Sequence, residues 1–278
     1  MRKINLVTDS TSDLSPELLA QYHIIVWPLY VNFGEESFRD IIDIDTDTLY
    51  QKVEEYKELP KTSAVPPGQF YEKFKQFSPD EDVIFMGIGS KFSISYQNAC
   101  TAAEEFDNIY VVDSNNLSSG IGLQLLKMAK FRDQGMSAKE IVEEIKKVTP
   151  LVSTRFAINT LEYLHKGGRC SGTARFIGTA LNIKPIIKVV DGGMVVSKKP
   201  MGYKKALNIM LSEVDDNLDN IDKDFIMVTH SKADEDAKFL VSELQKRGFP
   251  NVCETKASCV ISTHCGPRTI GILFILKQ

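Results

Sequence analysis

Hydroxyl groups gather in this sequence directly after a short, wholly apolar run. Val83-Ile84-Phe85-Met86 is followed by Gly87 and Gly89, then by Ser90, Ser93 and Ser95, and the next residues, Tyr96-Gln97-Asn98-Ala99, open a helical pattern. Serine hydroxyls and the free N–H groups of a helix N-terminus together hold a small oxyanion with neutral donors. The plainer reading is that these serines only cap the helix. More hydroxyls stand at Ser10, Thr62, Ser63 and Ser114, each at the end of an apolar or extended segment. If those segment ends share one rim, the sum is a seat for an anionic head group. His264, in Thr263-His264-Cys265-Gly266-Pro267, is a candidate for the same head group or for a structural hydrogen bond.

Other chemistries are poorly served. His264 and Cys265 are adjacent, and neighbours in an extended strand point to opposite faces, so they do not make a catalytic pair. Gly168-Arg169-Cys170-Ser171-Gly172 has the letters of a nucleophile elbow, but a helix precedes it where a strand is required. Gly87-Ile88-Gly89 lacks the third glycine of a dinucleotide fingerprint and no Walker lysine follows, so no nucleotide or other cofactor is expected. The five cysteines are odd in number and contain no C-x-x-C, which argues for reduced thiols rather than disulfides or zinc. A net charge of -4 without a basic, aromatic-interleaved cluster disfavours nucleic acid. No apolar run approaches the ~18 residues of a membrane span, and no signal-peptide core follows Met1, so a cytoplasmic protein is expected.

The elements that must position these groups follow from periodicity. Ile4 to Thr8 reads as a strand, Ser15-Pro16-Glu17 as a capped helix start, and Ile24 to Val31 as a second strand. Gly34 to Asp47 is acidic and turn-like, Thr46 to Glu58 helical, and Lys61 to Gly68 an extended loop fixed by Pro66 and Pro67. Gln69 to Phe77 is a helix with Phe70, Phe74 and Phe77 on one face; Ile109 to Val112 is a strand, and Ser118 to Asp133 a long helix. Ser137 and Glu140 form a capping box, and Thr149-Pro150 ends that helix. Strands alternating with helices predict a doubly wound parallel sheet over residues 1–150. Beyond it, Leu151 to Ile158, the hairpin around Asp191-Gly192-Gly193, helices over Lys204 to Val214 and near Leu240, and strands at Phe225 to Thr229, Val252 to Lys256 and Ile270 to Leu276 predict a two-layer α+β domain over 151–278. Thr173 to Leu181 and the turn Ser262 to Pro267 complete it.

Taken in order, Thr8-Asp9-Ser10, Lys61-Thr62-Ser63, Ser90-Lys91-Phe92-Ser93, Asp113-Ser114, Thr160-Leu161-Glu162-Tyr163-Leu164 with Gly167-Gly168-Arg169, Lys184-Pro185-Ile186, Asp191-Gly192 and Thr263-His264 with Gly266-Pro267 resemble the DegV family of bacterial fatty-acid-binding proteins over essentially the whole chain. The resemblance implies a non-catalytic lipid carrier. A long-chain fatty acid would lie with its tail in an apolar tunnel and its carboxylate on Thr62 and Ser93, with His264 close by and Ser63, Ser95 and Ile94 around them. Some members present the acid to a separate fatty-acid kinase, which is the implied protein partner. Departures from the family pattern fall at Ala64-Val65, at Ile94-Ser95 after the binding serine, at Met201 and at Arg268. The alternatives are a hydrolase or phosphotransfer component using Ser93 or His264, and a carrier of another apolar carboxylate or a phospholipid.

Overall fold

The computed structural model describes residues 2–169 and 182–277; Cys170 and the segment Thr173 to Leu181 lie outside the described residues. The chain opens with β1 (Lys3–Asp9), α1 (Pro16–Gln21) and β2 (Ile24–Trp27). Further on come β6 (Glu81–Phe85) and β7 (Ile109–Val111), and these four strands form one parallel sheet in the order β2-β1-β6-β7. Leu6, Val7, Val83 and Ile84 are fully buried, as a sheet covered on both faces requires. Phe70 and Phe74 of α3 (Pro67–Phe74) meet Phe85 and Trp27, and α3 packs on α4 (Ser95–Ala103). α5 (Ser119–Asp133) covers β1, while α6 (Ala138–Val148), opened by the expected capping box, covers β6.

The expected single strand Ile24 to Val31 is two strands in different sheets. Pro28 interrupts it, since proline has no N–H for the ladder. β3 (Tyr30–Phe33) turns away to pair antiparallel with β4 (Glu36–Arg39) and with β5 (Lys61–Ser63), giving a three-stranded sheet in the order β4-β3-β5. The acidic turn-like stretch therefore contains a strand, and so does the loop carrying Thr62 and Ser63. α2 (Thr46–Tyr56) lies between them in sequence and buries Leu49, but Tyr56 is left exposed.

The rest of the chain builds a mixed sheet of six strands: β8 (Val152–Ala157), β9 (Ile186–Val190), β10 (Gly193–Lys198), β11 (Ile221–Ser231), β12 (Val252–Lys256) and β13 (Thr269–Leu276), in the order β10-β9-β8-β13-β11-β12. Only β11 and β12 run parallel. The hairpin turn has Asp191 at φ 49° and Gly192 at φ 72°, the left-handed pair of a type I′ turn. The short α7 (Glu162–Lys166) follows β8. α8 (Tyr203–Asp215) and α9 (Asp234–Lys246) pack on one face with Ile226, Val228, Ile272 and Phe274. The opposite face meets α5, where Ser119 bonds to Thr229 and to Thr255. Met227, Leu273 and Ile275 from this face join the same buried apolar cluster as the parallel sheet.

The expected turn Ser262 to Pro267 is mostly helix, α10 (Cys259–Cys265), with the Ser258 hydroxyl accepting the Ile261 N–H at its start. Gly266 at φ 77° and Pro267 end it after two turns. Among the described residues, no helix is long and apolar enough to cross a membrane.

Candidate functional site

A cavity of about 220 Å³ lies between the inner face of the six-stranded sheet and the ends of the parallel strands. Alternation along the strands decides what faces it: Thr154 and Phe156 from β8, Thr229 and Ser231 from β11, and Thr269, Gly271 and Leu273 from β13 form the floor. Gly271 sits opposite Phe156 on one side and Thr229 on the other, and a β-carbon there would stand 2.9 Å from Arg155 O, so the packing of the floor admits no side chain at this position. Leu29, Ile88, Phe92, Leu117, Val260 and Ile261 close the other side, so the walls are largely hydrocarbon.

At one end Thr62, Ser63, Ser93, Arg169 and His264 all line the cavity. Thr62 Oγ1 lies 2.9 Å from His264 Nε2, joining the three-stranded sheet to α10. Burial, reinforced by the positive charge of Arg169, depresses the His264 pKa to about 4, so the ring is neutral near pH 7. Among the described residues, buried His264 Nδ1 has no hydrogen-bond partner. A bare lone pair is cheaper to bury than an unpaired N–H, which puts the proton on Nε2. Nε2 then donates to Thr62 Oγ1, and the Thr62 proton is free to point into the cavity.

Ser93 precedes α4. Its Oγ accepts the Ser95 N–H at 3.2 Å and donates to Ser95 Oγ at 3.2 Å. Ile94, at φ -70°, has ordinary helical geometry; it lines the cavity mouth and is 64% exposed. Ser63 lines the cavity too, its hydroxyl accepting from Asn32 Nδ2 at 2.7 Å. Arg169 Nη1 donates to Gly167 O at 2.8 Å, and its Nε to Phe92 O at 3.3 Å.

Two buried carboxylates set the position of α10. The Ser258 N–H donates to Asp13 Oδ1 at 2.9 Å, and the Cys259 N–H to Asp40 Oδ1 at 2.8 Å. The Ser118 hydroxyl also donates to Asp13 at 2.6 Å, and that of Ser10 to Asp40 at 2.7 Å. Burial raises both groups, Asp13 to about 8 and Asp40 to about 6, against the lowering effect of these donors. Acceptors at the first N–H groups of α10 satisfy donors that the helix itself cannot.

Of the residues singled out in the sequence, Thr62, Ser63, Ser93, Ile94 and His264 are brought together here. Ser95 is not: it is buried in the first turn of α4, where its N–H fixes Ser93 rather than meeting the cavity. Ser10 and Ser114 are likewise buried, bonded to Asp40 and to Gly87 O, and so leave the rim. His230, between Thr229 and Ser231 on β11, also borders the cavity, its Nδ1 accepting the Ala233 N–H. Arg169, Gly271 and the paired aspartates were not singled out as site residues. A cation two residues after the α7 glycine was a readable signal for Arg169; nothing in the sequence marks Gly271 as the floor.

Residues 3–277 match the family described as "Uncharacterised protein, DegV family". A DegV domain-containing protein of Clostridium acetobutylicum is 36% identical over 282 residues, covering 100% of both chains. Among solved structures, a DegV family protein of Thermus thermophilus, described for its fatty acid binding, aligns with a TM-score of 0.91 and 31% identity over 99% of this chain and 100% of that one. Bacillus subtilis DegV, described as a fatty acid binding protein, aligns at 0.89 with 29% identity over 100% of each. A stearic acid-binding protein of Eubacterium ventriosum aligns at 0.88 with 27% identity over 100% of this chain and 99% of that one. With a matching fold, a full-length family match and this identity to a full-length relative, the chain belongs to the DegV family.

Proposed function

We propose that this protein binds a long-chain fatty acid, with the tail in the apolar cavity and the carboxylate at Thr62, Ser93 and His264. The observation that carries this reading is the Thr62–His264 pair at one end of a chamber whose other walls are largely apolar above a hydroxyl-bearing floor. A neutral imidazole donating to Thr62 turns that hydroxyl outward as a donor, and Ser93 can add a second by rotating its proton away from Ser95 Oγ. The Arg169 guanidinium supplies positive potential beside them. Each buried methylene contributes about 0.8 kcal/mol, so the tail supplies affinity and the hydroxyls orientation. Binding is also favoured over turnover because, among the described residues, His264 Nδ1 has no acid to orient it as a triad requires.

Thr62 and Ser93 are only half-buried, which would leave the carboxylate within reach of a second protein. Presentation to a separate fatty-acid kinase fits that placement, and is tested by ATP-dependent acyl phosphate formation with and without this protein. The binding itself is tested by organic extraction and mass spectrometry of the purified protein, and by thermal shift with palmitate or oleate after delipidation. A stoichiometric monocarboxylic acid and a raised Tm are expected; no bound acid and no shift would sink the reading.

A further inference from the structure

The floor of the chamber is more polar than a hydrocarbon tail needs. Thr154, Thr229, Ser231 and Thr269 all line it, well away in sequence from the head-group residues. The informative point is where their protons go. Thr154 Oγ1 donates to Asn116 Oδ1 at 2.7 Å, and that oxygen also accepts the Leu117 N–H, which fixes it as the carbonyl side of the amide. Thr269 Oγ1 donates to Cys265 O at 2.9 Å. Thr229, Ser119 and Thr255 close a triangle of hydroxyls, three protons for three edges. Ser231 lies between Tyr50 Oη at 2.7 Å and Ser262 Oγ at 2.9 Å, either of which takes its proton.

Every hydroxyl proton of the floor is thus directed into the protein, while each oxygen retains lone-pair capacity. A floor of this kind accepts hydrogen bonds and does not give them. A plain methylene chain lies against the threonine methyls without penalty. A ketone, ether or epoxide on the chain would bury an acceptor with no donor opposite it, and a hydroxyl would find an acceptor.

We infer that the ligand class of this chamber extends to fatty acids carrying a hydroxyl part-way along the chain, and that it discriminates against the corresponding oxo acids. The inference rests on the fatty-acid reading above. It is tested with delipidated full-length protein and three kinds of probe: stearate, a set of positional hydroxystearates, and the matching oxostearates, each titrated by calorimetry. At the favoured chain position the hydroxy acid is expected to bind about three- to tenfold more tightly than its oxo partner, the size of one hydrogen bond. Thr154→Val should shrink that ratio towards one, and because the ratio is taken within each variant, a general loss of affinity does not imitate it. If Thr154→Val does not fold, Thr269→Val reads the same ratio. Stearate binding with equal hydroxy and oxo affinities at every position overturns this inference alone, whereas failure of stearate itself to bind removes the fatty-acid reading and this inference with it.

Discussion

Gly167 lies so close to the His264 ring that a β-carbon on it would stand 2.3 Å from His264 Nδ1. The backbone there has φ -77°, which alanine adopts freely, so the glycine is required by space and not by conformation. Gly167→Ala should therefore fold and push the imidazole off Thr62. Fatty-acid affinity should fall by about 1–2 kcal/mol, the worth of one head-group hydrogen bond, as measured by calorimetry alongside an unchanged circular dichroism spectrum. Unaltered affinity would mean that His264 does not orient Thr62.

The hydroxyls themselves are the direct test of the head-group assignment. Thr62→Val and Ser93→Ala should each weaken binding by about 1–2 kcal/mol. The double variant should lose less than the sum, since both groups address one carboxylate. Strict additivity would separate the two residues into different contacts.

His264 makes stability depend on pH in a defined direction. Its folded pKa of about 4 lies below its ordinary value of 6.5. Below pH 6.5 the unfolded chain takes up a proton that the folded chain refuses, so the contribution is complete above 6.5 and is lost as pH falls towards 4. The loss amounts to at most about 3 kcal/mol. Urea unfolding of the wild type minus that of His264→Gln, across this window, isolates it. A bound carboxylate beside the ring should raise the pKa and narrow the window.

Ile94 tests the mouth. It stands 64% exposed at the cavity entrance with unstrained backbone, so Ile94→Gly removes bulk there at a stability cost of no more than about 1 kcal/mol. The variant should accept a wider range of acids and exchange them faster, which stopped-flow displacement of a fluorescent fatty acid would show. An unchanged exchange rate would place the entry route elsewhere.

Asp13 has φ 50°, a conformation that asparagine tolerates far better than alanine. Asp13→Asn keeps an acceptor for Ser258 and should cost less than about 1 kcal/mol. Asp13→Ala leaves the Ser258 N–H and the Ser118 hydroxyl unpaired in the interior, and should cost about 2–4 kcal/mol by denaturant unfolding.

Long periodic segments were legible from sequence, and short polar ones were not. The strand at Val83 and the helix capped by Ser137 carry strong local signals, and both stand where their patterns put them. β4 and β5 were missed because Glu-Ser-Phe-Arg and Lys-Thr-Ser have no apolar face; they are strands because β3 offers them both edges. α10 was taken for a turn because its seven residues, rich in serine, threonine and cysteine, are held as a helix by distant carboxylates and not by local propensity. Thr62 and His264 stand out in the sequence and both line the cavity, yet the bond between them is invisible there, being made by packing alone. Ser95 misled because a serine that positions another serine looks the same in sequence as one that meets the cavity.

The ties that assemble the mouth span nearly the whole chain: Asp13 to Ser258 closes 245 residues, Asp40 to Cys259 closes 219, and Thr62 to His264 closes 202. Contacts of such long range are entropically expensive to close before their supporting structure exists, so they form late. During synthesis from the N-terminus, the parallel sheet can be complete while α10 is still within the ribosome. The chamber is then open along one wall, and its head-group end lacks the histidine. On the proposed fatty-acid reading, lipid can be retained only once α10 has emerged and docked, and the appearance of bound acid would time that step.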